Sequence, residues 1–298
     1  MDPRALACGV VAAALSVPAT VSGTVLPGVP SYYWYHGCSP TSGGMMVGYW
    51  DGLPGYENLF YGDASVETRA VRDMIASPNH IQDPLLQHPS DCIADFMQTD
   101  AAGYTDWADI GPGLEQYIEW DNPDTPVNES HEATVTTYQA FGGLSWELFK
   151  GQIDAGRPVL MNLYAYVEGE FLGHSVVGYG YQDDMFEISL LDGAGQVNLT
   201  VGGFTVQDTW GEGTSGSSWW GWDRDPCAPV EPVIDGQGHE WWPWLDMGLY
   251  PEDPMYEWFA YQAVTLDIIV PEPTTAALLA ASCLVLIPRR VSRRRTDR

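Results

Sequence analysis

The residues able to do chemistry stand in three short stretches. Gly37-Cys38-Ser39-Pro40-Thr41 places a lone cysteine behind a glycine and ahead of a small, apolar run, Ser42-Gly43-Gly44-Met45-Met46-Val47-Gly48-Tyr49-Trp50. Gly173-His174-Ser175-Val176-Val177-Gly178-Tyr179 sets a histidine at the start of a β-branched run. Val206-Gln207-Asp208-Thr209-Trp210-Gly211 sets an aspartate beside a tryptophan. A thiol becomes a nucleophile when an imidazole takes its proton, and that imidazole needs an acceptor to orient it. Cys38, His174 and Asp208 are the candidates for nucleophile, proton shuttle and orienting group. Trp210 can shield the His–Asp hydrogen bond from water, which strengthens it.

Such a trio needs rigid elements beneath it. Ser39 and Thr41 suit a helix start, and Pro40 fits its first turn, where a missing N–H costs nothing. Cys38 would then lie at the positive end of the helix dipole, which favours a thiolate. From Cys38 to about residue 155 the spacing predicts mostly helix: residues 64–76 (Val66, Ala70, Val71, Met74, Ile75), a helix capped by Ser90 or Asp91, 114–120, and 144–154, which stops at Gly156-Arg157-Pro158. Residues 122–132 read as a polar loop. Beyond it the stretches 159–167, 175–182, 186–191, 204–208 and 263–270 are β-branched or aromatic and bounded by Gly, Asp and Pro, the pattern of an antiparallel sheet. The expectation is an α+β fold of two lobes, the cysteine on the helical one and the histidine and aspartate on the sheet, with a cleft where they meet.

Rival chemistries are weaker. His36 is a second imidazole near Cys38, but it precedes the helix and is expected to face away. His80, His88, His131 and His239 lack ligand spacing and a His-Glu-x-x-His pattern, and no acidic run has calcium-loop spacing, so no metal is expected. The sequence around His174 and Ser175 is not the Gly-x-Ser-x-Gly of serine hydrolases. Cys92, among apolar neighbours, suits a core or disulfide role. The tryptophans at 219, 220, 222, 241, 242 and 244 suit packing better than a sugar- or peptide-binding platform.

The chain has 298 residues, 40 acidic against 12 basic, for a net charge of −28. Nucleic acid and anionic membrane surfaces are therefore poor partners. Residues 1–22 read as a signal peptide: Arg4, an apolar run from Ala5 to Val17, then small residues around Ala19 and Ser22. Residues 23–270 form the body. Of its cysteines Cys38, Cys92 and Cys227, an odd set in an exported protein suggests one disulfide and one free thiol. Cys92 with Cys227 would leave Cys38 free, whereas Cys92 with Cys38 would abolish the proposed chemistry.

Residues 271–298 begin at Pro271-Glu272-Pro273, continue through an apolar run at 274–287, and end in Arg289, Arg290, Arg293, Arg294 and Arg295. That run is shorter than the roughly 20 residues of a stable spanning helix. The order closely resembles the PEP-CTERM sorting signal of exopolysaccharide-producing Gram-negative bacteria. The resemblance implies export to the cell surface or extracellular matrix, transient membrane anchoring, and processing by an exosortase.

In the body, Gly37-Cys38-Ser39-Pro40-Thr41, Arg157-Pro158-Val159, the Gly173–Tyr179 stretch and Asp208-Thr209-Trp210 together resemble the papain-like cysteine peptidases of the bacteriocin-processing (double-glycine leader peptidase) type. The resemblance spans about residues 30–270. It implies a papain-like fold, a peptide or protein substrate, hydrolysis through an acyl-enzyme with no cofactor, and the roles already given to Cys38, His174 and Asp208. The family usually supplies an oxyanion-hole glutamine six residues before the cysteine; here that position is Tyr32, which becomes the candidate donor. A catalytically silent binding or assembly module and a cell-wall peptide amidase are the alternative functions.

Overall fold

A computed structural model describes residues 23–83, 87–121, 123, 131–140, 142–167, 170–192, 195–207, 233–237, 239–243 and 259–269. The segments read as signal peptide and sorting signal, with Asp208, Trp210, Cys227 and most of the tryptophan-rich region, lie outside the described residues. Among the described residues no helix is long and apolar enough to cross a membrane.

Helix α1, Cys38–Asp51, is the buried centre of the fold. It packs against the sheet on β3 (Val159–Val167) and β4 (Glu170–Asp192), and against the helices α2 (Arg69–Ile75), α4 (Ile93–Phe96) and α5 (Trp107–Glu119). With neighbours on the sheet and helix layers alike, it is apolar or small nearly all round instead of amphipathic. Met45, Met46 and Val47 are fully buried, each contributing about 1.5–3 kcal/mol. Gly48 lets the helix approach the segment before it: a side chain there would collide with the Tyr32 hydroxyl and stand 3.1 Å from Pro30. Glycine inside a helix costs about 1 kcal/mol relative to alanine, and the close packing of Tyr32 offsets it.

The short helices are fixed by local capping. Thr68 caps α2, Ser77 caps α3 (Pro78–Gln82), Asp106 caps α5 and Ser145 caps α6 (Trp146–Asp154), each side-chain oxygen accepting a backbone N–H of the first turn. Helix α2 is shorter than the spacing suggests because Thr68 starts it late. Helix α5 is longer, since Asp106 starts it eight residues before Leu114 and Pro112 is carried inside.

The strands β1 (Gly23–Val25), β2 (Glu132–Gln139), β3, β4, β5 (Gly195–Gln207), β6 (Val233–Ile234), β7 (Glu240–Pro243) and β8 (Phe259–Ile269) form one sheet. Its order is β2-β8-β3-β4-β5-β7-β6, with β1 added on β4, and every described pairing is antiparallel. Helices packed on an antiparallel sheet make the expected α+β fold. Two strand expectations change. Residues 175–182 and 186–191 belong to one strand, β4, whose pairing with β5 shifts register between Gln182 and Phe186. Residues 132–139 lie in the stretch whose spacing predicts mostly helix, yet form β2 at the edge of the sheet beside β8; the alternation of Ala133 and Val135 with polar residues is its signal.

Cys92 is a free and fully buried thiol; Cys227, its possible disulfide partner, lies outside the described residues. Cys92 occupies the N-cap position of α4 without a side-chain capping bond, and packs with Ala76, Ala94 and Tyr35. Cys38 is also a free thiol.

Candidate active site

The approach to Cys38 is a tight turn. His36 and Gly37 both take positive φ, 57° and 135°, the second being a conformation that side chains resist. Gly37, and not Ser39 or Thr41, is the N-cap, so Cys38 is itself the first residue of α1. Thr41 works in reverse of the expectation: its hydroxyl accepts the Tyr35 N–H (3.0 Å) and donates to the Gly37 carbonyl (2.6 Å), clamping the turn onto the helix. Gly37 has no side chain with which to cap, so the amide of Cys38 remains at the positive end of the helix dipole.

His174 is brought to this helix end by the β-sheet. It lies on β4, opposite Leu163 of β3, and is only 8% exposed. Its imidazole hydrogen-bonds the Cys38 sulfur, and a Ser175 N–H points to the same atom. Burial pushes the Cys38 thiol up, but the bond to His174, the charge of that imidazole and the Ser175 N–H outweigh it and bring the thiol down to about 7.

A buried polar chain sets the register between helix and sheet. Ser39 and Ser175 hydroxyls meet at 2.9 Å, and Ser175 donates onward to Asn162 Oδ1 at 2.6 Å. Asn162 in turn donates to Gln262 of β8, and Ser42 donates to the Ser175 carbonyl at 2.9 Å. Ser39, Ser42, Asn162, Ser175 and Gln262 are all buried. Because each buried group is satisfied only in one alignment, the chain locks the first turn of α1 to the residue after His174.

Aromatic rings stand beside the histidine. Trp107, at the start of α5, lies against Gly173, with its Cζ2 2.8 Å from where a side chain would begin. It also packs edge-on against Tyr164 at 5.3 Å and tilted against Tyr261 at 4.7 Å between ring centroids. Trp210 was the sequence's choice for an aromatic neighbour and lies outside the described residues. Trp107 was missed because the spacing places the start of this helix at Leu114, seven residues later.

Asp208 is the residue after β5, whose last residue, Gln207, pairs with Val177 of β4; Asp208 itself is outside the described residues.

Tyr32 does not reach the cysteine. It is fully buried, and its hydroxyl donates to the Ala64 carbonyl beside Gly48. Ten residues of α1 separate Gly48 from Cys38, about 15 Å at the helical rise. Burial and the nearby Asp51, Glu67 and Asp63 push its phenol far up, so it stays neutral and structural. The oxyanion role is therefore removed from Tyr32: its side chain is spent on holding residues 30–32 against α1. Tyr32→Phe is expected to lower stability by about 1–3 kcal/mol, because the Ala64 carbonyl loses its partner, and to leave kcat within about twofold. Denaturant unfolding and steady-state kinetics check this; a hundredfold fall in kcat, the order of one lost oxyanion donor, would return Tyr32 to the chemistry.

A family model described as the Peptidase_C39 like family matches residues 26–220, a span that includes Cys38, His174 and Asp208. No curated protein matches the chain.

Proposed function

The chain belongs to the Peptidase_C39 like family, and from that premise we propose that it is an exported cysteine peptidase acting through Cys38, His174 and Asp208. The observation that carries this reading is the hydrogen bond from His174 to a free Cys38 thiol at a helix start, with the thiol lowered to about 7. The thiolate attacks the peptide carbonyl carbon, and the new C–S bond forms as the carbonyl oxygen takes the negative charge. The Cys38 amide at the end of α1 donates to that oxygen. His174 then gives its proton to the departing amine as the C–N bond breaks. In the second half His174 takes a proton from water, whose oxygen attacks the thioester and frees the acid and the thiolate. Asp208 holds the imidazole in orientation. No cofactor enters.

Export rests on the sequence features of the two ends. Residues 1–22 direct the chain out of the cytoplasm, and residues 271–298 anchor it briefly in the membrane until an exosortase processes it.

The test is alkylation of Cys38 by iodoacetamide as a function of pH, followed by peptide mass mapping. Labelling is expected to rise with pH through a midpoint near 7 and to vanish in Cys38→Ala. A midpoint at or above about 8.5, the value of an ordinary thiol, would overturn the nucleophile. An activated thiol with no hydrolysis of any peptide or protein would favour the silent binding module. Release of D-amino-acid peptides from peptidoglycan would favour the amidase.

A further inference from the structure

A second set of chemistry-bearing side chains lies behind the turn that leads to Cys38. His80 on α3, and Cys92 and Asp95 at the start and within α4, each offer one ligand atom, and those atoms all lie within 4.8 Å of one another. All three are buried, with His80 and Cys92 at 0% and Asp95 at 1% exposure. They are held in place from outside the cluster. Ser77 caps α3 by accepting the His80 N–H at 3.1 Å, and Asp95 accepts the Asp91 N–H at 2.9 Å.

Within the cluster His80 Nδ1 meets Asp95 Oδ1 at 2.7 Å, and the Cys92 thiol hydrogen-bonds the same carboxylate. One anionic oxygen pair thus gathers two protons, one from nitrogen and one from sulfur. His80 Nε2 is buried with no hydrogen-bond partner among the described residues, and burial without a partner costs about 1–3 kcal/mol. The His36 ring stands edge-on to His80, 4.8 Å between centroids, and its buried Nε2 is likewise without a partner. His88 and Asp91 approach Asp95 from a more exposed side, so the buried trio is the better-enclosed set.

We propose that His80, Cys92 and Asp95 form a binding site for a divalent transition metal of the zinc class. Nitrogen, sulfur and carboxylate oxygen are the donor types such an ion selects, and three protein ligands leave one position of a tetrahedron for water or for the neighbouring His36. Binding replaces the Cys92 thiol proton, which is released to solvent as the sulfur–metal bond forms, so affinity rises with pH. The site is structural in kind. It ties α3 to α4 next to His36, two residues before Cys38, and so braces the left-handed turn on which the nucleophile is mounted.

The test uses the full chain carrying Cys38→Ala, so that the other histidine-paired thiol cannot contribute. After stripping with a chelator, it is titrated with Co(II) and separately with Zn(II). One equivalent of Co(II) is expected to give visible bands of a tetrahedral ion and a near-ultraviolet thiolate-to-cobalt band, both reversed by Zn(II). Adding Cys92→Ser should abolish the thiolate band, and adding His80→Ala should weaken Zn(II) binding by about 10–100-fold or more. Absence of a one-equivalent thiolate band in the Cys38→Ala chain overturns the site, whether or not the further variants fold. Survival of the band in Cys92→Ser overturns it equally. Neither outcome bears on the peptidase reading, which is tested at Cys38.

Discussion

His174→Ala is expected to lower kcat/KM for peptide hydrolysis by about 10⁴-fold or more, the scale seen when one member of a nucleophile–base pair is removed. Its first effect is on the thiol. Burial raises Cys38, and the contacts with His174 head the forces that bring it down to about 7. With those contacts gone, burial dominates and the thiol titrates above the ordinary 8.5. At pH 7 the thiolate fraction then falls from about half to a few per cent or less, a loss of at least about fifteenfold before any proton transfer is considered. The remainder of the loss comes from the departing amine, which has no acid to protonate it. The sign with pH follows: in the native chain the thiolate falls about tenfold for each pH unit below 7, and in the variant that fall begins at a higher pH. Paired alkylation and hydrolysis profiles measure both parts. Hydrolysis surviving within tenfold, or an unmoved alkylation midpoint, would mean that another group serves the sulfur.

Gly37→Ala should be the most damaging small change near the site. Gly37 has a φ of 135°, and a side chain there would stand 2.7 Å from the Gly103 carbonyl and 3.0 Å from the Pro40 ring. The backbone strain alone costs on the order of 1–3 kcal/mol, and the carbonyl belongs to a loop that cannot simply rotate away. Relief requires the Gly37–Cys38 peptide to shift, and a displacement of about 1 Å at a reacting group costs on the order of 10² in rate. Loss of stability in denaturant unfolding together with a hundredfold lower kcat is expected. Native values in both would show that the turn relaxes without moving the nucleophile.

The fold class was legible because its signals were local. A long small-residue helix beginning at Cys38, the stop at Gly156-Arg157-Pro158, and β-branched strands thereafter are each readable from spacing. Residues 132–139 were not, since a polar edge strand rich in threonine gives up most of its burial contrast on the exposed face, and only its partner β8 makes it a strand. The reach of His174 to Cys38 was inferred from residue type and order; the buried Ser39–Ser175–Asn162–Gln262 chain that aligns them joins four separate elements and left no spacing to read. Tyr32 shows the limit of position counting: six residues before the cysteine is a place in the sequence, but the fold turns that side chain toward the far end of α1. The His80, Cys92 and Asp95 cluster escaped for the same reason, because twelve residues and a change of helix separate His80 from Cys92.

Strand β8 is made by residues 259–269 and yet sits in the interior of the sheet, between β2 and β3. It also carries Gln262, the last link of the polar chain that begins at Ser39. A polypeptide emerging from the ribosome or a translocation channel delivers its N-terminal end first. It therefore exposes Cys38 and His174 well before the strand that completes their support. Until β8 slots in, the long edge of β3 is open and Asn162 lacks its acceptor. Assembly of the sheet is thus coupled to arrival of the final stretch of the body, and a nascent or shortened chain would carry its thiol without a finished scaffold.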